Sequence, residues 1–206
     1  MTAREAILTG LKRPVPVDLA AQAAALVAGN ERPPEPVGTL AERFARRLDG
    51  ASVAATIERV AAMDGVPAAV ARYLDEQGLA AVAAELYLPP DPAVRELDWS
   101  GVTATGLALS DQPAALAVAK AAVAESGSLI FETSPVAPML PNFLTLHHIV
   151  VVRAEMLVDR LEDIPTDLAG SRAHYWVTGV SGTTDIEGQY VRGAHGPRFL
   201  HVVLVG

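Results

Sequence analysis

The sequence predicts an α/β fold built on a mainly parallel sheet, and three observations carry that expectation. Apolar periodicities change type along the 206 residues, with strand-like runs following helical ones. His148–Val152 is a β-branched run too short for a helix, the pattern of a strand buried on both faces. Toward the C-terminus the order strand, helix, strand, helix, strand implies right-handed parallel crossovers.

Taken in order, Ile7, Leu8 and Leu11 form one face of a short N-terminal helix, followed by a linker from Gly29 to Pro36 with three prolines. Residues 1–36 are therefore expected to be a helical arm and linker, and residues 37–206 one α/β domain. Leu40, Phe44 and Leu48 recur at helical spacing, as do Val66, Val70, Tyr73 and Leu74, with Pro67 placed for a first helical turn. Between them Ser52–Ile57 reads as a strand, and Leu79–Leu88 is apolar without a clear period. Ala114–Ala124 fits helix or strand, whereas Ala121–Phe131, broken at Gly127, reads as two strands joined by a turn. After His148–Val152 come a helix through Leu157, Val158, Leu161 and Ile164 that ends at Pro165, a strand at Tyr175–Thr178, a glycine-rich turn, a short helix over about 184–191, and a final strand Phe199–Val205.

Composition excludes several function classes. Sixteen basic against 24 acidic residues give a net charge of −8, which opposes attraction to phosphate backbones and argues against a nucleic-acid partner. The chain has no cysteine, so disulfides, thiolate metal sites and iron–sulfur ligation are excluded from it, and no cofactor is expected to be bound through cysteine. His147 and His148 are adjacent and would face opposite sides of a strand, His174 and His201 read as strand residues, and no metal site is expected. No segment offers the roughly 20 apolar residues that span a bilayer, and the N-terminus lacks a secretory pattern, so a cytoplasmic location without membrane insertion is expected. Lysine is confined to Lys12 and Lys120 whereas arginine is frequent, a bias expected of a GC-rich bacterial source. Trp99 and Trp176 read as core or interface aromatics.

The residues that carry chemistry cluster between Ser181 and Arg198. Thr184-Asp185-Ile186-Glu187 has the spacing of a capping box, whose helix turn offers free N–H groups to a carboxylate or phosphate; the same residues could serve only as a cap. Ser181, Gly182 and Thr183 precede it and add hydroxyls and a glycine turn. His195 lies between Gly193 and Gly196, where an imidazole can act as general acid or base or contact an anion, or the segment can simply shape a turn. Arg198 could hold an anion in bidentate fashion or pair with Asp185 or Glu187. A second group, Ser126 and Ser128 around Gly127, could present hydroxyls to an anion. Ser181, Thr183, Thr184, Asp185 and His195, with Arg198 nearby, are expected to line one pocket at the carboxyl ends of the strands.

Four blocks in this order resemble the LUD-domain family: Ala124-Glu125-Ser126-Gly127-Ser128-Leu129-Ile130; Leu140-Pro141 leading to His148–Val152; Gly179 to Glu187; and Gly193 to Arg198. The resemblance implies a three-layer α/β/α domain similar to ribose-5-phosphate isomerase and the coenzyme A transferases. It further implies a component of L-lactate oxidation to pyruvate, acting beside separate iron–sulfur partner proteins and binding a small anionic or acyl ligand. The related transferases use a glutamate before a glycine turn as an acyl acceptor, which would make Glu125 a nucleophile; the other reading is a solvated turn residue. Gly182 stands where the family pattern has an arginine, and 134–139 lacks another, which implies weaker anion binding than the pattern. Two alternatives to the lactate component stand beside it: an independent acyl or coenzyme A transferase, and a non-catalytic sensor or assembly subunit. Whether the chain is an enzyme by itself is left open by the sequence.

Overall fold

In a computed structural model of the chain, residues 2–11, 18–28, 36–80, 85–107, 112–164 and 172–206 are described. They group into two units, residues 1–36 and 37–206. Within the first, helices α1 (Ala3–Leu11) and α2 (Leu19–Ala28) bury no residue. Of the linker read at Gly29–Pro36, all but Pro36 lies outside the described residues.

The second unit is organised by six parallel strands: β1 (Thr56–Val60), β2 (Leu86–Tyr87), β3 (Ala104–Thr105), β4 (Ala114–Val118), β7 (His147–Arg153) and β12 (Phe199–Val205). Their order in the sheet is β1-β12-β7-β4-β2-β3, with every pair parallel. The two longest strands, β7 and β12, lie side by side inside the sheet with a neighbour on each edge, which is why their sequences are almost continuously apolar rather than alternating. Alternate residues serve opposite faces. Val150, Val152, Val202 and Leu204 point to one core, and Ile149, Val151, Val203 and Val205 to the other.

The second of these cores is closed by α4 (Val66–Glu76), with Val66, Val70 and Leu74 inward, and by the short α5 (Pro92–Arg95), which inserts Val94. Trp99 packs half-buried against the same cluster. Over the first core lie α3 (Leu40–Asp49), through Phe44 and Leu48, and a four-stranded sheet in the order β8-β5-β6-β9. That sheet consists of β5 (Ala121–Val123), β6 (Leu129–Glu132), β8 (Leu157–Val158) and β9 (His174–Val177). α3 starts at a capping box in which Thr39 accepts from the Glu42 amide and Glu42 accepts from the Thr39 amide. The result is an α/β domain in three layers, helices flanking a parallel sheet, with the small sheet sharing one outer layer. Among the described residues no helix is long and apolar enough to cross a membrane.

Gly127 turns β5 into β6 at φ +75°, as the break in the alanine-rich run predicts. Several expectations are corrected. The strand near residue 52 begins only at Thr56, because Gly50–Ala55 is a turn in which Ala54 has φ 53°. Residues 154–163 form two 3₁₀ turns around β8 rather than an α-helix: Leu157 and Val158 share a strand with opposite facings instead of one helical stripe. Pro165, its expected end, lies outside the described residues, as do 81–84 of the Leu79–Leu88 segment, whose Leu86 and Tyr87 form β2. β9 runs antiparallel to β6, so the C-terminal half is not an unbroken series of parallel crossovers.

The largest departure is at 184–191, where a hairpin replaces the helix: β10 (Gly182–Thr184) pairs antiparallel with β11 (Tyr190–Arg192). The capping-box spacing misleads because the following residues have no apolar face to bury. Ile186 is fully exposed, and a helix without a packing face is marginal in water. Asp185 closes the turn instead, its Oδ1 accepting the Glu187 amide at 2.9 Å and the Gln189 amide at 2.8 Å. Gly188 supplies the positive φ, +80°.

Candidate functional site

Two clefts open on the small-sheet side of the domain, and Asn142 borders both. It sits in the one-turn helix α6 (Pro141–Leu144) and donates from Nδ2 to the Tyr175 hydroxyl at 2.7 Å. Tyr175 stacks on Phe131, with ring centroids 5.1 Å apart, and both rings line the larger of the two clefts.

One cleft, of about 350 Å³, gathers Ser181, His195 and Gly196 with His148, Trp176 and Thr178. Backbone pairing brings the two glycine-rich segments together. Ser181 donates its amide to Pro197 O at 2.9 Å and accepts from the Gly193 amide at 2.9 Å. Gly196 then lies directly on the Ser181 side chain, where an added Cβ would stand 3.1 Å from its hydroxyl oxygen. His195 is exposed at the rim. His148 forms part of the floor from β7; burial drives its imidazole down to about 3, so it is neutral at physiological pH, and its Nε2 has no partner among the described residues.

Ser126 and Ser128 reach this cleft indirectly. Their hydroxyls are 2.7 Å apart, and Ser128 Oγ lies 2.7 Å from Thr178 Oγ1, a chain of three hydroxyls that ends on the cleft wall. Gly127 packs against Arg47 and Val53 in the turn between them. Glu125 is exposed on that turn and borders neither cleft; its amide donates to Asp159 O at 3.0 Å.

The remaining expected residues stay apart. Thr183, Thr184, Asp185 and Glu187 are exposed on the β10–β11 hairpin, and Asp185 is committed to its turn. Gly182 is crossed by the Tyr190 side chain, whose hydroxyl and ring edge overlap the place a Cβ would take; the ring occupies the space that an arginine side chain would leave by. Arg198 is exposed, with Cζ 5.8 Å from the Phe199 ring centre. The cleft also lies at the amino ends of β7 and β12, where His148 and Leu200 are the second residues, not at the carboxyl ends.

The second cleft, about 400 Å³, does lie at carboxyl ends, those of β2 and β4, and no residue of the expected site borders it. Lys120 and Glu132 form an ion pair on its rim. The sequence signal that could have found it is Lys120 itself, the single lysine of residues 37–206, placed two residues after an apolar strand. Among the described residues no group of three or more His, Asp or Glu side chains is arranged to hold a metal ion.

Residues 107–205 match the model of the LUD domain. The chain is 31% identical over 120 residues to lactate utilization protein C of Deinococcus radiodurans, covering 54% of this chain and 49% of that protein. It thus spans about half the length of the curated relative. A crystal structure of a duf162 family protein from Deinococcus radiodurans superimposes with a TM-score of 0.60, covering 83% of this chain and 100% of the other. At 21% identity that likeness speaks for the fold alone.

Proposed function

We propose that this chain, whose residues 107–205 match the LUD domain, is a component of L-lactate utilisation that binds a small carboxylate in the cleft of Ser181 and His195. The observation that supports the reading most is the 31% identity to a lactate utilization protein over 120 residues. Within the cleft, hydroxyls of Ser181 and Thr178 and the exposed His195 imidazole are the groups suited to a carboxylate and an adjacent oxygen. Among the described residues no lysine or arginine borders it, so binding rests on hydrogen bonds. His148, held neutral beneath, contributes shape and polarity rather than charge.

Electron transfer is assigned to separate iron–sulfur partner proteins, since the chain has no cysteine to ligate a cluster. The domain's part is to hold the acid and present it to that partner. Calorimetric titration of the chain with L-lactate and with pyruvate tests the reading: binding of either is expected, weakened about tenfold or more in Ser181→Ala and His195→Ala. Absence of binding by both acids, or binding indifferent to both substitutions, would overturn it.

A further inference from the structure

Where β2 and β4 lie side by side, the chain leaves them in opposite directions. β2 continues through α5 to the edge strand β3, whereas β4 continues through β5, β6 and α6 to β7 at the sheet centre. The connections also cover opposite faces, Val94 of α5 joining one core and Ala122 and Phe131 the other. Among the described residues, neither connection roofs the gap between the carboxyl ends of the two strands. Such a reversal leaves a crevice, and crevices of this origin are where open α/β sheets take ligands.

The 400 Å³ cleft occupies that place. Its polar groups come from the segments that follow the strands: Asp91 after β2, Lys120 after β4, and Glu132 at the end of β6. Lys120 is already neutralised by Glu132, and Asp91 adds a further negative charge. A second anion would be repelled here, while a ligand that offers hydroxyl donors finds acceptors. Asp91 uses Oδ1 to cap the Ala93 amide at 2.9 Å, leaving its other oxygen to accept. The Lys120 ammonium has three donors, more than one carboxylate oxygen uses. Tyr87 adds a phenol that burial keeps protonated. Leu116, Ala117 and Val136 supply an apolar side, so the cleft has one polar and one apolar wall.

Carboxylates placed just beyond a strand in a switch-point crevice are suited to accept from the hydroxyls of a ribose, with the base on apolar surface. We propose that the crevice outside β2 and β4 binds a nucleoside, its ribose hydroxyls meeting Asp91, Glu132 and Lys120. This site is separate from the Ser181–His195 cleft and does not rest on the carboxylate reading of that cleft.

The test is titration of the full chain with adenosine, followed by amide NMR, with 2′,3′-dideoxyadenosine and L-lactate as comparisons. Adenosine is expected to shift the amides of Ala93, Ala119 and Lys120, and the dideoxy compound to bind at least about tenfold more weakly. Asp91→Ser keeps a side chain able to cap α5 and removes the carboxylate; it and Glu132→Gln should each weaken adenosine about tenfold or more, while His195→Ala leaves its affinity unchanged. Equal binding of the dideoxy compound, displacement of adenosine from these amides by L-lactate, or no shift at millimolar adenosine would overturn the assignment. Should Glu132→Gln fail to fold, Asp91→Ser decides alone.

Discussion

The Tyr73 hydroxyl and His147 Nδ1 lie 2.9 Å apart in the core, joining α4 to the first residue of the central strand β7. The same phenol ring stacks on His201 of β12, with centroids 4.0 Å apart, and His201 Nδ1 is bonded to Thr56 Oγ1 at 2.8 Å. A buried polar cluster thus ties β1, β7, β12 and α4 together on the α4 face of the sheet.

Burial makes that cluster sensitive to acid. It lowers His147 and takes His201 down to about 4 against a partial opposing pull from Glu58, and on the other face of β7 it takes His148 down to about 3. Each folded-state value lies below the unfolded one near 6.5, so the unfolded chain binds more protons once the pH falls below that point. Stability is therefore full above pH 6.5 and declines as the pH drops toward 4, by an amount on the order of 3 kcal/mol for His201 alone. Urea titrations at pH 7.5, 6 and 5 should show the midpoint falling, and His201→Gln should flatten the dependence. A midpoint constant over that range would refute the neutral-histidine account.

A second prediction contrasts two glycines with positive φ. Gly179 has φ +90°, and a Cβ there would stand 2.7 Å from Val53 O and 2.8 Å from its Cα, both backbone atoms. Gly188 has φ +80° with nothing within 4 Å. Gly188→Ala should cost about 1 kcal/mol from backbone strain alone, and Gly179→Ala about 3 kcal/mol or more because the backbone itself must shift. Equal losses in denaturant titration would show that the Val53 contact yields easily.

The buried ion pair between α3 and the turn after β8 gives a third. Arg43 Nη1 and Asp159 Oδ1 are 2.8 Å apart, with side chains 9% and 21% exposed. Asp159→Ala leaves the Arg43 guanidinium buried without this partner and should cost about 3 kcal/mol. Arg72→Ala breaks the pair with Glu58, whose side chains are 55% and 29% exposed, and should cost less than about 1 kcal/mol. Similar thermal shifts for the two variants would contradict the role of burial.

The parts of the fold that were legible in the sequence are those in which local pattern and burial agree. His148–Val152 and Phe199–Val205 are almost continuously apolar because both faces of the central sheet are covered, and Gly127 marks its turn because only a positive φ links β5 to β6. Where a local signal lacked a tertiary partner it misled: Thr184–Glu187 has the spacing of a cap, yet Ile186 finds nothing to pack on. The convergence of Ser181 with His195 was legible from two glycine-rich segments flanking strands. His148 and Trp176 were not legible as companions of that pair. One reads as a strand residue and the other as a core or interface aromatic, and the antiparallel return of β9 is what brings Trp176 to the cleft beside His148 of β7. The crevice of Asp91, Lys120 and Glu132 was hidden for a similar reason, since its residues come from segments joined by strand order rather than by spacing.

The last prediction concerns Gly182, at the position where the resemblance to the LUD-domain family implies an arginine. Read from the sequence, Gly182→Arg should raise anion affinity. In the structure Gly182 lies on the exposed hairpin, beside Ser181 but outside the cleft, with the Tyr190 hydroxyl overlapping the place a Cβ would take. An arginine must first displace that ring, whose far end is free to turn because Tyr190 is 57% exposed. Displacement costs little fold stability, so Gly182→Arg should melt close to the parent. With the ring moved, the guanidinium stands one residue from Ser181 and can reach a carboxylate held there, strengthening lactate or pyruvate binding about tenfold. The double variant Gly182→Arg, Tyr190→Ala separates the two effects, because it removes the obstructing ring in advance. If the double variant gains affinity and the single does not, Tyr190 is what keeps a cation from the cleft; if neither gains, the carboxylate does not bind beside Ser181.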